Sequence, residues 1–367
     1  MKKAIIATCF ESNEERAGFV YEACIDRGFD VEILTSDFSH IRKKKREQVP
    51  DRFRSIETLP YQKNLSLKRM RSHRLFAKDL FQQIAREDPD LIWLMAPANS
   101  LILEAKGYKK THPSVKLIID IIDMWPESLP ISIPKDVFPL SLWKNIRSKN
   151  LNCADLVVSE CDFYQETLKR EYKGRMETIR WSRKANAVKI EPDLPKGKFS
   201  LCYIGSINNI IDPEKIADVV SKIGMPVILH VIGEGENTER FLKTLEPVCE
   251  VLYHGAIREE TKKAEIFSKC HAGINIYRDG LYIGLTVKCI DYLQHGLPIL
   301  NNIKGDTWAL VEEYKAGFNI EDGTVINANE LIHMRNNNQN IYDLFEQNFT
   351  ETVFLKKCRE VIDEVMK

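Results

Sequence analysis

Short runs of apolar residues alternate with longer amphipathic segments along most of this 367-residue chain. The short runs are rich in β-branched residues, which is typical of buried strands, whereas the longer segments repeat their apolar positions at helical spacing. Strands that alternate with helices indicate parallel sheets covered by helices. The pattern therefore predicts an α/β fold.

The alternation forms two series, each with five strands. The first series predicts strands at 3–8, 30–35, 91–94, 116–122 and 156–159, with helices at 16–27, 66–86 and 142–152. The second predicts strands at 201–204, 227–232, 250–253, 272–276 and 299–301, with helices at 212–223, 236–245, 261–269 and 286–295. Residues 191–197 contain two prolines and a glycine and interrupt both periodicities. We place the linker there and predict two domains, residues 1–190 and 191–350.

Composition narrows the class of protein. A hydrophobic content of 44% and a charged content of 29% are typical of globular proteins and argue against a disordered or membrane-embedded chain. The apolar run at 4–7 is better explained as a first strand than as a signal peptide, because acidic residues follow it closely. Nine scattered cysteines without a CxxC pair predict buried thiols in a reducing compartment, and hence a cytoplasmic protein.

Positive charge is concentrated between residues 40 and 86, where fourteen basic and four acidic side chains give a net charge of +10. The simpler interpretation is a solvated helix face balanced by acidic residues elsewhere. The functional interpretation is a surface that attracts anions, either membrane lipids or a pyrophosphate-linked acceptor. No nucleic-acid-binding module accompanies the segment, so we expect no nucleic-acid partner.

Glycines follow three predicted strands of the second series, at Gly205, Gly233 and Gly255. Ligands of open parallel sheets bind beyond the carboxyl ends of the strands, and glycine lets them approach the backbone. Each glycine could equally serve only to make a turn.

The segment 282–300 is more specific. A loop containing Gly284 enters a helix near Thr286, so free N–H groups and the threonine hydroxyl are expected to hold a diphosphate. Lys288 would add positive charge, and the carboxylate of Asp291 could accept two hydroxyl hydrogen bonds of a ribose.

This segment resembles the donor-binding helix of glycosyltransferase family 4, within the GT-B superfamily. The segments 203–206 and 231–235 match the family in order and spacing, and 120–128 resembles a motif of bacterial surface-polysaccharide transferases. The resemblance covers nearly the whole chain. It implies two Rossmann-like domains facing across a cleft, with the terminal helix at 351–367 crossing back to the first domain.

The resemblance also implies a function. The donor would be a nucleotide-diphosphate sugar, for which we expect UDP, and transfer would proceed with retention, without a cofactor and without an obligatory metal. A glycan or lipid-diphosphate-linked acceptor would place the protein in capsule, lipopolysaccharide or exopolysaccharide synthesis. The +10 segment would then contact anionic lipid at the inner face of the membrane. The sequence does not determine an oligomeric state.

Carried over residue by residue, the family pattern assigns ribose binding to Asp291, diphosphate binding to Gly284, Thr286 and Lys288, and base binding to the backbone of Ile257. Two positions depart from the pattern: Ile283 replaces the first of two acidic residues, and no Arg or Lys follows Gly205 closely. The full predicted donor-binding set is Gly205, Ser206, Asn208, Gly233, Gly255, Ile257, Tyr282, Gly284, Leu285, Thr286, Lys288 and Asp291.

The first half supplies candidates for catalysis and acceptor binding. Three carboxylates, Asp120, Asp123 and Glu127, follow a strongly apolar strand, where they are costly unless hydrogen-bonded or functional. On a structural interpretation one would cap a helix and another would tie a loop. On a functional one Asp123 orients or deprotonates the acceptor hydroxyl. Trp125, Ser12, Asn13 and Arg16 are the predicted acceptor-binding residues.

Three other functions fit parts of the pattern. A nucleotide-sugar 2-epimerase would share the architecture but need no acceptor. A catalytically silent nucleotide-sugar-binding subunit is suggested by Ile283. An NAD-dependent enzyme is disfavoured because no GxGxxG follows the first strand.

Overall fold

A computed structural model describes residues 1–131, 133–184 and 191–367. It divides the chain into two compact units, Met1–Trp181 with Thr352–Lys367, and Ser182–Glu351. The division falls before the boundary expected at 190. Residues 185–190, which contain that expected boundary, lie outside the described part of the chain.

The first unit is built on a seven-stranded parallel sheet with the order β5-β2-β1-β6-β7-β8-β9. Its central strands are mostly apolar and buried, as expected for a sheet covered on both faces. The strands are β1 (Lys3–Ala7), β2 (Asp30–Ser36), β5 (Phe53–Ile56), β6 (Leu91–Ala96), β7 (Lys116–Ile121), β8 (Leu156–Ser159) and β9 (Arg175–Thr178). A separate antiparallel hairpin, β3 (Phe38–Ser39) and β4 (Lys44–Lys45), follows β2.

Helices cover both faces of this sheet. They are α1 (Glu14–Asp26), α2 (Leu67–Glu87), α3 (Asn99–Thr111), α4 (Leu140–Ser148), α5 (Asp162–Glu171) and α13 (Glu351–Val365). The last helix shares a buried cluster with Phe19, Leu91 and Ile179, so a segment distant in sequence completes the first core. This arrangement confirms the prediction that the terminal helix returns to the first domain.

The second unit has a six-stranded parallel sheet with the order β12-β11-β10-β13-β14-β15. The strands are β10 (Phe199–Ile204), β11 (Val227–Ile232), β12 (Glu250–Gly255), β13 (Ala272–Asn275), β14 (Ile299–Asn301) and β15 (Gly317–Asn319). The helices are α6 (Pro213–Ser221), α7 (Thr238–Leu245), α8 (Glu260–Ser268), α9 (Val287–Gln294), α10 (Asp306–Tyr314), α11 (Ala328–Asn336) and α12 (Gln339–Asn348).

Both sheets are doubly wound, so the predicted α/β class with two Rossmann-like halves is confirmed. In each sheet the chain first builds outward on one side and then reverses to the other side. The reversal lies between β1 and β6 in the first sheet and between β10 and β13 in the second. Crevices at such switch points are where open α/β sheets bind ligands.

Within the described ranges, no helix has both the length and the apolar character needed to cross a membrane.

Candidate functional site

A pocket of about 360 Å³ lies at the switch point of the second sheet. The loop after β10 forms one wall, Tyr277 beyond β13 forms another, and the start of α9 forms the third. Seven of the predicted donor-binding residues line it: Gly205, Ser206, Asn208, Leu285, Thr286, Lys288 and Asp291. The structure therefore brings together two sequence segments that lie some eighty residues apart.

Lys288 is the unusual group in this pocket. Its side chain is 8% exposed, and its Nζ is buried without a hydrogen-bond partner among the described residues. The Nζ lies 4.2 Å from the ring centre of Tyr203 and 4.6 Å from that of Tyr277. Burial lowers the pKa of the ammonium to about 7. The faces of the two tyrosine rings offset only part of the free-energy cost of burying a charged ammonium. The amine is therefore suited to bind an anion.

Two of the predicted glycines, Gly205 and Gly233, lie where the backbone comes close to other groups of the site. Gly205 and Gly233 both have positive φ angles, of 120° and 139°. A Cβ on Gly233 would stand 2.0 Å from the carbonyl oxygen of Gly205, whereas one on Gly205 would meet the Lys288 Cε at 3.6 Å. A side chain at Gly205 would therefore occupy the space beside the lysine.

Thr286 is the residue just before α9, and its hydroxyl already forms hydrogen bonds within the protein. It donates to Asn275 Oδ1 at 2.8 Å and lies 3.0 Å from the Cys289 sulfur. In this structure the proton of the hydroxyl holds the loop to the sheet, and its role towards a diphosphate stays a prediction. The N–H groups in the first turn of α9 remain as the donors that a helix start offers.

Asp291 lies one turn further along α9, and its Oδ1 accepts a hydrogen bond at 2.8 Å from Nε of Arg183. Arg183 was not among the predicted residues because it precedes the second series of strands. This ion pair fixes the carboxylate and takes up part of its capacity to accept hydroxyl hydrogen bonds.

The other predicted donor-binding residues do not line the pocket. Gly233 and Gly255 follow the neighbouring strands β11 and β12, and Ile257 lies in the loop beyond Gly255. The carbonyl oxygen of Gly284 accepts hydrogen bonds from the Thr307 N–H and hydroxyl, which anchors the loop that also contains Tyr282.

In the first unit the structure corrects two roles. Arg16 and Asp120 are both fully buried and form a two-point ion pair, with Nε–Oδ2 at 2.8 Å and Nη2–Oδ1 at 3.0 Å. Nη2 also donates to the carbonyl of Ile179, and the Trp93 indole donates to Asp120. Neither group is accessible to a substrate, so this pair is part of the core.

Glu127 is also structural rather than catalytic. Both of its oxygens accept hydrogen bonds of 2.8 Å from the Arg147 guanidinium, which binds Glu171 on its other edge. This buried arginine ties the loop after β7 to α4 and α5.

Of the three predicted catalytic carboxylates, Asp123 is the one whose position is compatible with a catalytic role. It lies beyond the carboxyl end of β7, and its Oδ2 accepts a 2.6 Å hydrogen bond from the Trp125 indole. Burial raises the pKa of Asp123. Trp125 in turn packs against Phe10, Trp143 and the guanidinium of Arg69, whose carbon lies 4.2 Å from the indole ring centre.

Glu160, at the end of the neighbouring strand β8, was missed. Its Oε2 accepts a 2.5 Å hydrogen bond from the Trp181 indole. Burial, and secondly the charge of Asp123, raise the pKa of Glu160 to about 8. Two carboxyl groups with raised pKa values thus follow adjacent strands, a pattern often found at functional sites. Only the adjacency of β7 and β8 brings them together, which a single sequence does not reveal.

Of the predicted acceptor residues in the opening loop, Ser12 is exposed and Asn13 is buried. The Asn13 amide donates to the Thr8 hydroxyl at 3.3 Å, and Ser12 donates to Asn13 at 3.3 Å. Asn13 therefore holds the loop, and Ser12 is the one exposed side chain of the two.

Across the described ranges, no group of three or more His, Cys, Asp or Glu side chains is arranged to hold a metal ion.

Comparison with known proteins identifies the architecture. Neither a protein-family profile nor a curated protein sequence matches the chain. Among solved structures, sucrose-phosphate synthase from Thermosynechococcus elongatus is similar with a TM-score of 0.72 and 13% identity, over 100% of this chain and 99% of that one. The lipopolysaccharide outer core galactosyltransferase WaaB has a TM-score of 0.69 and 12% identity, with 99% of each chain covered.

A third similar structure is Anabaena HepE in complex with UDP and glucose. Its TM-score is 0.66 at 12% identity, and the match covers 99% of this chain and 100% of that one. At these identities the likeness concerns the fold. The chain has the GT-B fold of these glycosyltransferases along its whole length.

Proposed function

We propose that this protein is a glycosyltransferase that moves a sugar from a nucleotide-diphosphate sugar to an acceptor hydroxyl. The observation that carries the proposal is Lys288, a buried amine without a hydrogen-bond partner among the described residues, at the switch-point pocket of the second sheet. A diphosphate is the chemistry that would pair this amine and also use the N–H groups at the start of α9.

The same groups would serve the chemistry. When the glycosidic bond to the donor breaks, negative charge develops on the departing diphosphate, and Lys288 with the α9 N–H groups would stabilise it. The first unit would supply Asp123 to orient the acceptor hydroxyl and accept its proton. This division of roles needs neither a protein nucleophile nor a metal, and it is compatible with retention of configuration.

The finer assignments are also proposals. UDP is the nucleotide we favour, because HepE is described with UDP and with UDP-glucose. A glycan or lipid-diphosphate acceptor, and a role in bacterial polysaccharide synthesis, are favoured by the surface-polysaccharide motif at 120–128 and by the likeness to WaaB. Contact with anionic membrane is proposed for the basic segment 40–86.

Calorimetric titration with UDP-, GDP-, dTDP- and CMP-sugars tests the proposal, followed by measurement of nucleotide release with the sugar that binds. We expect one nucleotide to bind and Lys288→Met to weaken that binding by about ten- to a hundredfold, the range for a lost charge-assisted hydrogen bond. Lys269→Met, an exposed lysine at the end of α8, is the matched control. Absence of binding by all four sugars would refute the proposal.

A silent nucleotide-sugar-binding subunit is the second candidate. It is favoured by Ile283, an apolar side chain that lines the pocket where the resembling family has an acidic one. This candidate predicts nucleotide-sugar binding to the isolated protein without release of nucleoside diphosphate, even when acceptors are present.

A further inference from the structure

A second pocket, of about 630 Å³, lies in the first unit beside the hairpin of β3 and β4. The hairpin follows β2 directly, and the other wall includes Glu11 in the short 3-10 turn that follows β1. The pocket therefore lies at the carboxyl edge of the first sheet, the edge at which such sheets bind ligands. None of the residues that line it belongs to the proposed donor site or to the predicted acceptor residues.

The hairpin brings a dense set of cations to this pocket. Arg42, Lys44, Lys45 and Arg46 all line it. Two of them are already neutralised, because Arg46 forms a two-point pair with Glu14, at 2.5 and 3.0 Å, and Lys45 pairs with Asp37 at 2.5 Å. These pairs fix the hairpin against β2 and α1.

Arg42 and Lys44 differ from these two. Both side chains are exposed, and neither has a carboxylate partner within the described part of the chain. Arg42 stands at the hairpin turn, where its N–H donates to the Ser39 hydroxyl at 2.9 Å. The structure thus holds two unneutralised cations at the mouth of a cavity, an arrangement that favours a phosphate group.

The opposite wall offers an acceptor of hydroxyl hydrogen bonds. Ser39 donates to Glu11 Oε1 at 2.8 Å, which fixes the carboxylate. Glu11 Oε2 is buried and has no hydrogen-bond partner among the described residues. A carboxylate oxygen in this state is costly unless a ligand hydroxyl approaches it. Glu47 also lines the pocket, so a ligand carrying only negative charge would meet repulsion on this side.

We propose that this pocket binds a phosphorylated sugar, with the phosphate at Arg42 and Lys44 and a sugar hydroxyl at Glu11. The inference rests on the proposed glycosyltransferase function and assigns it an acceptor class. The phosphate belongs either to a soluble sugar phosphate or to the diphosphate of a lipid-linked sugar, because both present an anion next to hydroxyl groups. The size of the cavity suits either group.

The test is calorimetric titration of the full chain, without nucleotide sugar, with glucose 6-phosphate, glucose 1-phosphate, glucose and inorganic phosphate. A second arm measures binding to phosphatidylcholine vesicles with and without a polyprenyl diphosphate that carries a hexose. We expect a sugar phosphate to bind at least tenfold more tightly than either glucose or inorganic phosphate. Tighter binding in the vesicle arm assigns the phosphate to a lipid carrier, and tighter binding of soluble sugar phosphate assigns it to a free acceptor.

Two variants test the residues. Arg42→Gln with Lys44→Gln should weaken sugar-phosphate binding at least tenfold, whereas Glu11→Gln should weaken it but leave inorganic phosphate unaffected. The matched control is Arg71→Gln with Lys78→Gln, which removes the same charge from exposed positions on α2 outside the pocket. Equal weakening in this control would overturn the inference in favour of a general basic surface. So would failure of every sugar phosphate and of the lipid diphosphate to bind.

Binding of nucleotide sugar to the second unit is measured separately. If the sugar phosphate binds but no nucleotide sugar does, the pocket is still a sugar-phosphate site, whereas the proposed function and the acceptor role that rests on it both fail. If nucleotide sugar binds and is cleaved but no phosphorylated ligand binds, the pocket assignment fails alone.

Discussion

Lys288 places a positive charge where the folded protein gains little from it. The ammonium is buried between two tyrosine rings, and burial brings its pKa down to about 7. Below that pH the protein keeps a desolvated charge that an unfolded chain would expose to water. Such groups are retained where a ligand needs them, and stability is lower as a result.

Replacing Lys288 with methionine should therefore move stability and binding in opposite directions. At pH 6 we expect the free energy of unfolding of the ligand-free protein to rise by about 1–4 kcal/mol, because a buried charge is exchanged for an apolar side chain of similar volume. Urea unfolding of both proteins measures this. A decrease in stability would mean that the ammonium makes favourable interactions inside the fold.

The lowered pKa of Lys288 also predicts a pH dependence. A bound diphosphate favours the ammonium, so the affinity for a UDP-sugar should fall as the pH rises above about 7, by up to tenfold per unit. In the ligand-free protein the unfolded state binds more protons between pH 7 and 10, so stability should rise with pH in that window. Calorimetric titrations from pH 6.0 to 8.5 measure the first effect, and Lys288→Met should show no slope.

For individual residues, sequence analysis was more successful within one continuous motif than for residues that lie far apart in sequence and meet only in the folded protein. Lys288 and Asp291 were predicted because they follow a glycine loop on one helix. Arg16 and Asp120 were assigned separate roles because a pair separated by 104 positions is not visible in a single sequence. Arg183, Tyr277 and Glu160 were missed for the same reason.

Among the elements, the loop before α9 is held by a line of asparagines across three strands. Asn275 on β13 donates to Asn301 on β14 at 2.7 Å, and Asn301 donates to Asn319 on β15 at 2.7 Å. The Thr286 hydroxyl joins the line at Asn275. Polar side chains in a buried sheet are stabilising only while every member is satisfied. The line thus connects the start of α9 to the far edge of the sheet.

Asn301→Ala should break this line in the middle. It leaves the side-chain N–H of Asn275 without its acceptor and the Oδ1 of Asn319 without its donor. We expect a loss of about 2–4 kcal/mol in the free energy of unfolding. UDP-sugar affinity should also fall, because Thr286 loses its fixed anchor. Urea unfolding and titration measure the two effects. Asn336→Ala, at an exposed position of α11, is the control. An unchanged urea midpoint for Asn301→Ala would show that the side chains of Asn275 and Asn319 find other hydrogen-bond partners.

Strand prediction succeeded mainly for interior strands. All ten predicted strands are present, and nine of them are interior strands of the two sheets, for which continuous apolar runs are typical. The tenth, β12, is a largely exposed edge strand. The strands β5, β9 and β15 were not predicted. They lie at or next to sheet edges, and β5 and β9 carry charged residues that a central strand would exclude. Edge strands are polar in order to limit pairing with other chains, and this hides them from pattern analysis.

Over the whole molecule, the first unit depends on a segment that follows the second unit in sequence. Five side chains of α13 are buried in the first core, namely Phe354, Cys358, Val361, Ile362 and Val365. Ion pairs at its surface join Arg359 to Asp26 and Arg27 to Asp363. Removal of this helix would expose one side of the first core to water.

A chain that ends at Glu351 should therefore lose stability in one unit only. We expect faster hydrogen exchange throughout β1, β6 and α1, since their apolar contacts lose a partner, and little change in the second unit. UDP-sugar binding, which we propose for the second unit, should persist. Hydrogen-exchange mass spectrometry distinguishes the units. Uniform loss of protection in both would mean that they unfold as one cooperative body.

The return of α13 to the first core also sets an order of events during synthesis. A ribosome that has finished residues 1–181 must translate the entire second unit before it reaches the helix that closes the first. The second unit has all its residues in one continuous stretch and can fold as soon as it emerges. The domain that is made first is thus completed last, and until then one side of its apolar core stays exposed to water.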